Sequence, residues 1–133
     1  MERLNQRMTS ARKALASLEE LVGLPRPTAV ERDAAIQRFE YTCEATWKAI
    51  QLGLRDQEGL DAASPKAIVR ASRQVGLLDD DAARAALAMV DDRNETVHTY
   101  NEAVAQAIHS RLLAHAALLR VWLASAARWT GTP

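Results

Sequence analysis

Residues 28–54 read TAVERDAAIQRFEYTCEATWKAIQLGL and carry the clearest helical pattern of the chain. Apolar residues recur there at spacings of three and four, namely Ala35, Phe39, Cys43, Trp47, Ile50 and Leu54. This spacing places their side chains on one face of an α-helix, and Thr28 has the hydroxyl of a good N-cap. A helix from Thr28 to Leu54 would be about 40 Å long at roughly 1.5 Å per residue. The stretch therefore predicts a long amphipathic helix, as in helical bundles.

Two further apolar stripes predict long helices nearer the two ends of the chain. The first comprises Leu4, Met8, Ala11, Leu15, Leu18 and Val22, and is followed by the helix-ending residues Gly23, Pro25 and Pro27. The second comprises Val104, Ile108, Leu112, His115, Leu119, Trp122, Ala126 and Trp129. Two starts are open for this last helix: a capping box of Thr99 with Glu102, or a direct N-cap at Asn101.

Two shorter helices are predicted between the long ones. Residues 56–63 hold a glycine and several acids and predict a loop. Ser64-Pro65 is typical of the N-cap and first position of a helix, which we expect to run over residues 66–75. The three aspartates at 79–81 offer N-cap oxygens, and favourable negative charge, to a fourth helix over residues 82–92.

The composition agrees with a fold made of helices. The chain has 133 residues but only five glycines and four prolines, which leaves few places for tight turns. Its length is within the roughly 100–150 residues of a typical single domain. We therefore predict one all-α domain over residues 1–133, folded as an up-and-down antiparallel bundle of four to five helices, three of them long.

Charge and cysteine content limit the functional classes. The 17 basic and 17 acidic side chains cancel, whereas a protein that binds duplex nucleic acid normally carries a basic surplus. The single Cys43 allows no internal disulfide and offers no spacing of metal ligands, as expected in a reducing cytoplasm. No window approaches 18 uncharged apolar residues. These features predict a cytoplasmic protein that neither enters a membrane nor holds a metal.

The segment 91–102, DDRNETVHTYNE, is the densest in functional groups. Arg93 and His98 would point about 140° apart on an ideal helix at roughly 100° per residue. They could converge if the chain turns between them, or if a twofold dimer brings two such segments together. A histidine that titrates near neutrality and an arginine that matches phosphate oxygens can together cleave RNA without a metal. The alternative is that Arg93 is ion-paired with its acidic neighbours, Asp91, Asp92 and Glu95, and that His98 has no role.

Other polar residues are weaker candidates. Asn94 could orient His98 or bind phosphate, but asparagine is also an ordinary helix cap. Tyr100 could simply pack at the end of the bundle. Lys66, Arg70 and Arg73 recur at spacings of four and three and form a basic face on the third helix, which could contact RNA or an acidic partner, or simply face solvent.

Several blocks occur together in an order that resembles a known family. They are RFEYTCEATWKAIQ at 38–51, Ser64-Pro65-Lys66, Gly76-Leu77-Leu78, Asp92-Arg93-Asn94 and His98-Thr99-Tyr100-Asn101-Glu102. This order resembles the nucleotidyltransferase substrate-binding family of the HEPN superfamily, which includes the HepT-like toxins. The Arg-x4-His-x-Tyr string of that family is complete here in Arg93, His98 and Tyr100. Cys43 departs from the larger apolar residue expected at its position.

The resemblance implies a fold, an activity and a partner. The fold is a HEPN bundle that forms a homodimer, and the activity is metal-independent cleavage of RNA by Arg93 and His98. The partner is a minimal nucleotidyltransferase, usually encoded next to the toxin gene, which acts as antitoxin and transfers AMP from ATP onto the tyrosine that corresponds to Tyr100. AMP there would add bulk and negative charge where an RNA phosphate must lie. The chain itself would need no cofactor, while its partner would use ATP and magnesium.

The sequence thus leaves three functions to compare. The main hypothesis is a HepT-like toxin, a homodimeric ribonuclease that AMP addition at Tyr100 silences. The alternative is a non-catalytic subunit that binds substrate for a nucleotidyltransferase. The third is a plain helical scaffold.

Overall fold

The computed structural model describes residues 1–131 and contains only helices and connecting turns over that range. The six α-helices are α1 (Glu2–Val22), α2 (Ala29–Glu58), α3 (Pro65–Gln74), α4 (Asp80–Glu95), α5 (Glu102–His109) and α6 (Leu112–Ala126). Two 3₁₀ turns, Thr96–His98 and Ala127–Trp129, follow α4 and α6. The prediction of an all-α helical bundle is confirmed.

Side-chain caps begin the helices where the sequence indicates. The Thr28 hydroxyl accepts a hydrogen bond from the Glu31 N–H at 3.0 Å, and the Glu31 carboxylate accepts one from the Thr28 N–H at 2.8 Å. The side chains of Ser64 and Asp79 accept the single hydrogen bonds that cap α3 and α4, at 3.2 and 2.8 Å. The start of α5 is fixed by Asn101, whose Oδ1 accepts from Ala103 N–H at 3.0 Å. Of the two starts left open by the sequence, the direct N-cap is therefore the one formed.

The helices surround one apolar core. Helices α1 and α2 form an antiparallel pair, α6 packs across both, and α3 pairs with α4. Large side chains such as Phe39, Met89 and Trp122 are fully buried. Trp122 of α6 also donates its indole N–H to the Ser72 hydroxyl of α3 at 3.1 Å, so the core has a directional link as well as apolar contact. Cys43 lies in this core, and burial raises the pKa of its thiol far above the ordinary range.

Three boundaries differ from the prediction. Helix α2 continues to Glu58, so the predicted loop over residues 56–63 begins only at Gly59, whose φ of 69° allows a left-handed turn. Helix α4 continues to Glu95, which makes Arg93 and Asn94 helical. The predicted single last helix is two helices separated at residues 110–111, where Arg111 turns its side chain toward Asp92 of α4. The described residues thus form six helices instead of the four or five expected.

In residues 1–131, no helix combines the length and the apolar character needed to cross a lipid bilayer.

Candidate functional site

Arg93 lies in the last turn of α4 and points toward α2. Its Nη2 is 3.3 Å from Oε1 of Glu44, and its Nη1 is 3.7 Å from Oε2 of Glu40. Nη1 also donates to the Thr96 hydroxyl at 3.1 Å. The Nε atom is buried and has no hydrogen-bond partner among the described residues. The guanidinium is therefore ion-paired with two carboxylates from another helix.

The acids beside Arg93 in the sequence do not neutralise it. Asp91 pairs with Lys66 at 2.8 Å, and Asp92 pairs with Arg111 and His115. Glu95 forms no ion pair with any of residues 1–131. The expectation that Arg93 is ion-paired holds, but its partners, Glu40 and Glu44, come from some fifty residues earlier in the chain.

His98 and Tyr100 are brought together at the exposed end of the bundle. The 3₁₀ turn that follows α4 ends at His98, and the Asn101 N–H donates to the His98 carbonyl at 3.0 Å. His98 Nδ1 lies 3.2 Å from the Tyr100 hydroxyl, and the two rings meet edge to face. Tyr100 is 84% exposed. This turn positions an accessible phenol beside an imidazole.

The structure does not join Arg93 to His98. No hydrogen bond or ion pair links the two side chains within residues 1–131, although the chain does turn between them. Asn94 is exposed in the last turn of α4, and its side chain makes no hydrogen bond within the same range. The predicted cluster of Arg93, Asn94 and His98 is therefore not assembled within one chain.

A second polar cluster was not expected from the sequence. Asp92 accepts two hydrogen bonds from Arg111, at 2.7 and 2.8 Å, and its Oδ2 lies 2.7 Å from Nε2 of His115. The His115 ring is buried and stacks on Phe39 with centroids 5.2 Å apart. The sequence signal was the four-residue spacing of Arg111 and His115, but their acceptor lies on another helix.

The pKa of Asp92 follows from this geometry. Burial by itself would raise the pKa of the carboxyl, but the hydrogen bonds from Arg111 and His115 outweigh burial and leave the pKa below its ordinary value. Asp92 is therefore ionised at neutral pH, and His115 Nε2 must carry the proton that it donates. This cluster locks α4 to α6.

The basic residues of α3 have acidic neighbours. Lys66 pairs with Asp91 and Arg73 pairs with Asp80 at 2.6 Å, while Arg70 forms no ion pair with the described residues. The Arg73 hydrogen bond lowers the pKa of the Asp80 carboxyl. Contact of Lys66, Arg70 and Arg73 with RNA or a partner stays a prediction. Among residues 1–131, no group of three or more histidine, cysteine or acidic side chains is placed to hold a metal ion.

Comparison with known proteins decides the family. The model of the family described as "Nucleotidyltransferase substrate binding protein like" matches residues 6–127. The chain belongs to this family. The family assignment made from the sequence blocks is thus confirmed, while the narrower link to HEPN proteins and HepT-like toxins stays a prediction.

Solved structures resemble this member of the nucleotidyltransferase substrate-binding family. A crystal structure from Thermus thermophilus is 59% identical, with a TM-score of 0.85, and the match covers 87% of this chain and 98% of the other. A Haemophilus influenzae protein, described as a substrate binding domain of a nucleotidyltransferase, is 22% identical with a TM-score of 0.61. That match covers 94% of this chain and 97% of the other, and it shows a similarity of fold alone. No curated protein matches the sequence.

The prediction that the chain is a ribonuclease is wrong. The family that matches nearly the whole chain is one of substrate-binding proteins, not of nucleases. The geometry agrees with this correction, because Arg93 is paired with Glu40 and Glu44. A guanidinium held by carboxylates is poorly placed to stabilise charge on a phosphate.

Proposed function

We propose that the protein is a non-catalytic subunit that binds substrate for a separate nucleotidyltransferase. Its family membership supports this function, and the observation that carries it is the pairing of Arg93 with Glu40 and Glu44, which leaves Arg93 and His98 unjoined within the chain. The partner, not this chain, would bind ATP and magnesium. A toxin and antitoxin relation between the two, and a cytoplasmic location, stay predictions.

The partner-binding surface that we propose is the end of the bundle around the 3₁₀ turn that follows α4. Val97 is 66% exposed there and lies close in the chain to the exposed Tyr100. Aromatic side chains such as Tyr100 are enriched at protein contact sites, and Val97 adds exposed apolar area close to it in the chain.

A binding measurement with a matched control tests this proposal. The proposed nucleotidyltransferase partner is titrated with the wild-type chain, with Val97→Asp and with Val30→Asp. The last variant places the same charge at a residue that is 80% exposed at the start of α2. We expect Val97→Asp to weaken the complex about tenfold or more, while Val30→Asp binds like the wild type. Absence of any complex with the wild-type chain would refute the proposed function.

We further propose that the nucleotidyltransferase transfers AMP to Tyr100. The hydroxyl is accessible, and His98 Nδ1 is 3.2 Å away and can accept its proton. In this step the Tyr100 oxygen attacks the α-phosphorus of ATP, the bond to the β-phosphate oxygen breaks and pyrophosphate leaves. The phenolic proton passes to His98.

Mass spectrometry after incubation with the nucleotidyltransferase, ATP and magnesium tests this step. Tyr100→Phe should prevent AMP addition, and Tyr41→Phe, which alters the other tyrosine, should not. His98→Ala should slow the addition about 10²-fold or more. Modification of the Tyr100→Phe chain at the wild-type level would exclude Tyr100.

The homodimer predicted from the sequence is also part of the proposal. The outward face of α6 carries an apolar stripe of Leu113, Ala117, Val121 and Ala124, in which Leu113 and Val121 are more than half exposed. Because the stripe is uncharged, a second copy can pack on it across a twofold axis without burying an unpaired charge. Light scattering should give a dimer mass for the wild type and a monomer mass for Val121→Glu; a monomeric wild type would contradict the dimer.

A further inference from the structure

A basic groove lies between α1 and α2, away from the α3 face that the sequence suggested. Its main hollow of about 570 Å³ is lined by Arg3, Arg7 and Lys48, with Tyr41 and Glu44 on the α2 side. An adjoining hollow of about 210 Å³ shares the same three cations and adds Arg55. We call these two hollows together the α1/α2 groove.

The antiparallel pairing of α1 and α2 assembles the groove. Arg3 and Arg7 are one turn apart on α1, and Lys48 and Arg55 are two turns apart on α2, so each pair shares one helix face. Gln57 near the end of α2 donates to the Met1 sulfur at the start of α1. This arrangement places the α1 cations opposite the second half of α2.

The cations of the groove are not used in stabilising the fold. Arg3, Arg7 and Lys48 form no ion pair with any residue of the range 1–131, and Arg55 makes only an exposed pair with Asp56 at 3.4 Å. The acid in the groove is Glu44, and Arg93 already engages it at 3.3 Å. Because the chain is neutral in total, this cluster is a local excess of positive charge.

The groove also offers an aromatic surface. Tyr41 is 43% exposed, and its hydroxyl is 2.7 Å from the Ser17 hydroxyl, so the ring is tethered between α2 and α1. A nucleic-acid base can stack on a ring that is fixed beside cations, while the phosphates of the strand contact the arginines.

We infer that the α1/α2 groove binds the phosphate backbone of a single-stranded polynucleotide. Lys48 and Arg55 are separated by about 10 Å along α2 at roughly 1.5 Å per residue, which exceeds the reach of a single phosphate group. A duplex would need a broader basic surface than the two adjoining hollows of the groove supply. The inference rests on the proposed function in one respect, that the bound strand is the substrate presented to the nucleotidyltransferase.

Fluorescence anisotropy with a short fluorescein-labelled oligouridylate tests the groove, with the chain alone and no nucleotidyltransferase present. One variant combines Arg3→Gln, Arg7→Gln and Lys48→Gln, and a matched control combines Lys66→Gln, Arg70→Gln and Arg73→Gln. We expect the groove variant to lose about tenfold or more in affinity, and its plot of log affinity against log salt to flatten by about two units for three lost phosphate contacts. The control should bind like the wild type.

Three further measurements keep the result unambiguous. Tyr41→Ala should weaken binding at an unchanged salt slope, because stacking releases no counterions. Circular dichroism must show wild-type helix content in every variant. Calorimetry with ATP alone tests whether the groove binds the phosphates of a free nucleotide and not those of a polynucleotide.

The inference would be overturned by either of two results. One is no oligonucleotide binding by the wild type at low salt, whether or not ATP binds, and the other is greater loss in the α3 variant than in the groove variant. The complex with the nucleotidyltransferase is measured separately. A groove that does not bind the oligonucleotide is therefore distinguishable from a chain that does not have the proposed function.

Discussion

Asp92 links α4 to α6 through two basic side chains. Its carboxylate lies only 12% exposed between Arg111 and His115 and accepts from both. A carboxylate at such a junction stabilises the fold only while it is ionised, because protonation removes the acceptor of the two-pronged Arg111 bond.

Asp92→Asn should therefore destabilise the protein by about 1–3 kcal/mol, the usual cost of leaving a partly buried polar partner unsatisfied. The neighbouring Asp91→Asn is the matched control, since its pair with Lys66 is exposed and should contribute less than about 1 kcal/mol. Urea denaturation measures both. Equal losses in the two variants would mean that the Asp92 cluster contributes no more than a surface ion pair.

The same cluster gives a pH dependence with a defined sign. The pKa of Asp92 is lower in the folded chain than in the unfolded chain, so the unfolded chain takes up the proton first as pH falls. The stabilisation is complete above about pH 4, the ordinary range of an aspartate, and is lost as the pH falls through the folded-state pKa. The difference in unfolding free energy between wild type and Asp92→Asn should shrink over that acidic range.

At the scale of elements, α2 is joined to the turn after α6 through close contacts of Trp129. A methyl group at Gly53 would lie 2.2 Å from the Trp129 ring, and the Trp129 indole N–H donates to Glu58 at 2.8 Å. Only a glycine lets the Trp129 ring lie this close to the backbone of α2.

Gly53→Ala should cost about 1–3 kcal/mol, because the rigid ring must leave its position. Gly23→Ala is the control, since no atom lies within 4 Å of its added methyl group, and it should change stability by less than about 0.5 kcal/mol. Thermal unfolding followed by circular dichroism compares them. A Gly53→Ala melting temperature equal to the wild type would show that Trp129 does not depend on this contact.

The features that sequence predicted are those with local causes. Thr28, Ser64 and Asp79 cap helices through hydrogen bonds that span three residues, so their roles are readable from order alone. The extension of α2 to Glu58 was missed, because Glu58 is held by Arg128 and Trp129 from the far end of the chain.

The candidate site also combines local contacts, which the sequence can predict, with long-range contacts, which it cannot. The closeness of His98 and Tyr100 is local, because the two residues are only two positions apart in the chain. The partners of Arg93 could not be found in the sequence, since Glu40 and Glu44 reach it only after α2 and α4 pack together. The α1/α2 groove was missed for the same reason, because its cations are on two helices.

The whole molecule has no net charge, but its charged side chains are unevenly distributed over the surface. Glu40 and Glu44 of α2 pair with Arg93, whereas Arg3, Arg7 and Lys48 of the α1/α2 groove have no ion-pair partner in the described residues. Total charge therefore says little about which surface of this bundle meets an anion.

The native chain should not react with thiol reagents such as iodoacetamide at neutral pH. Cys43 is its only cysteine and is buried, and burial raises the pKa of the thiol, so almost no thiolate is present or accessible. Labelling should become fast in denaturant. Rapid labelling of the native protein would mean that the core around Cys43 opens readily.

This protected thiol makes the protein well suited to spectroscopy. A cysteine introduced at an exposed position, for example Val30→Cys or Val97→Cys, would be the sole accessible attachment point for a fluorophore, with no need to remove Cys43. The slow labelling of Cys43 itself, followed over hours, would then report the rate at which the folded bundle opens around this residue.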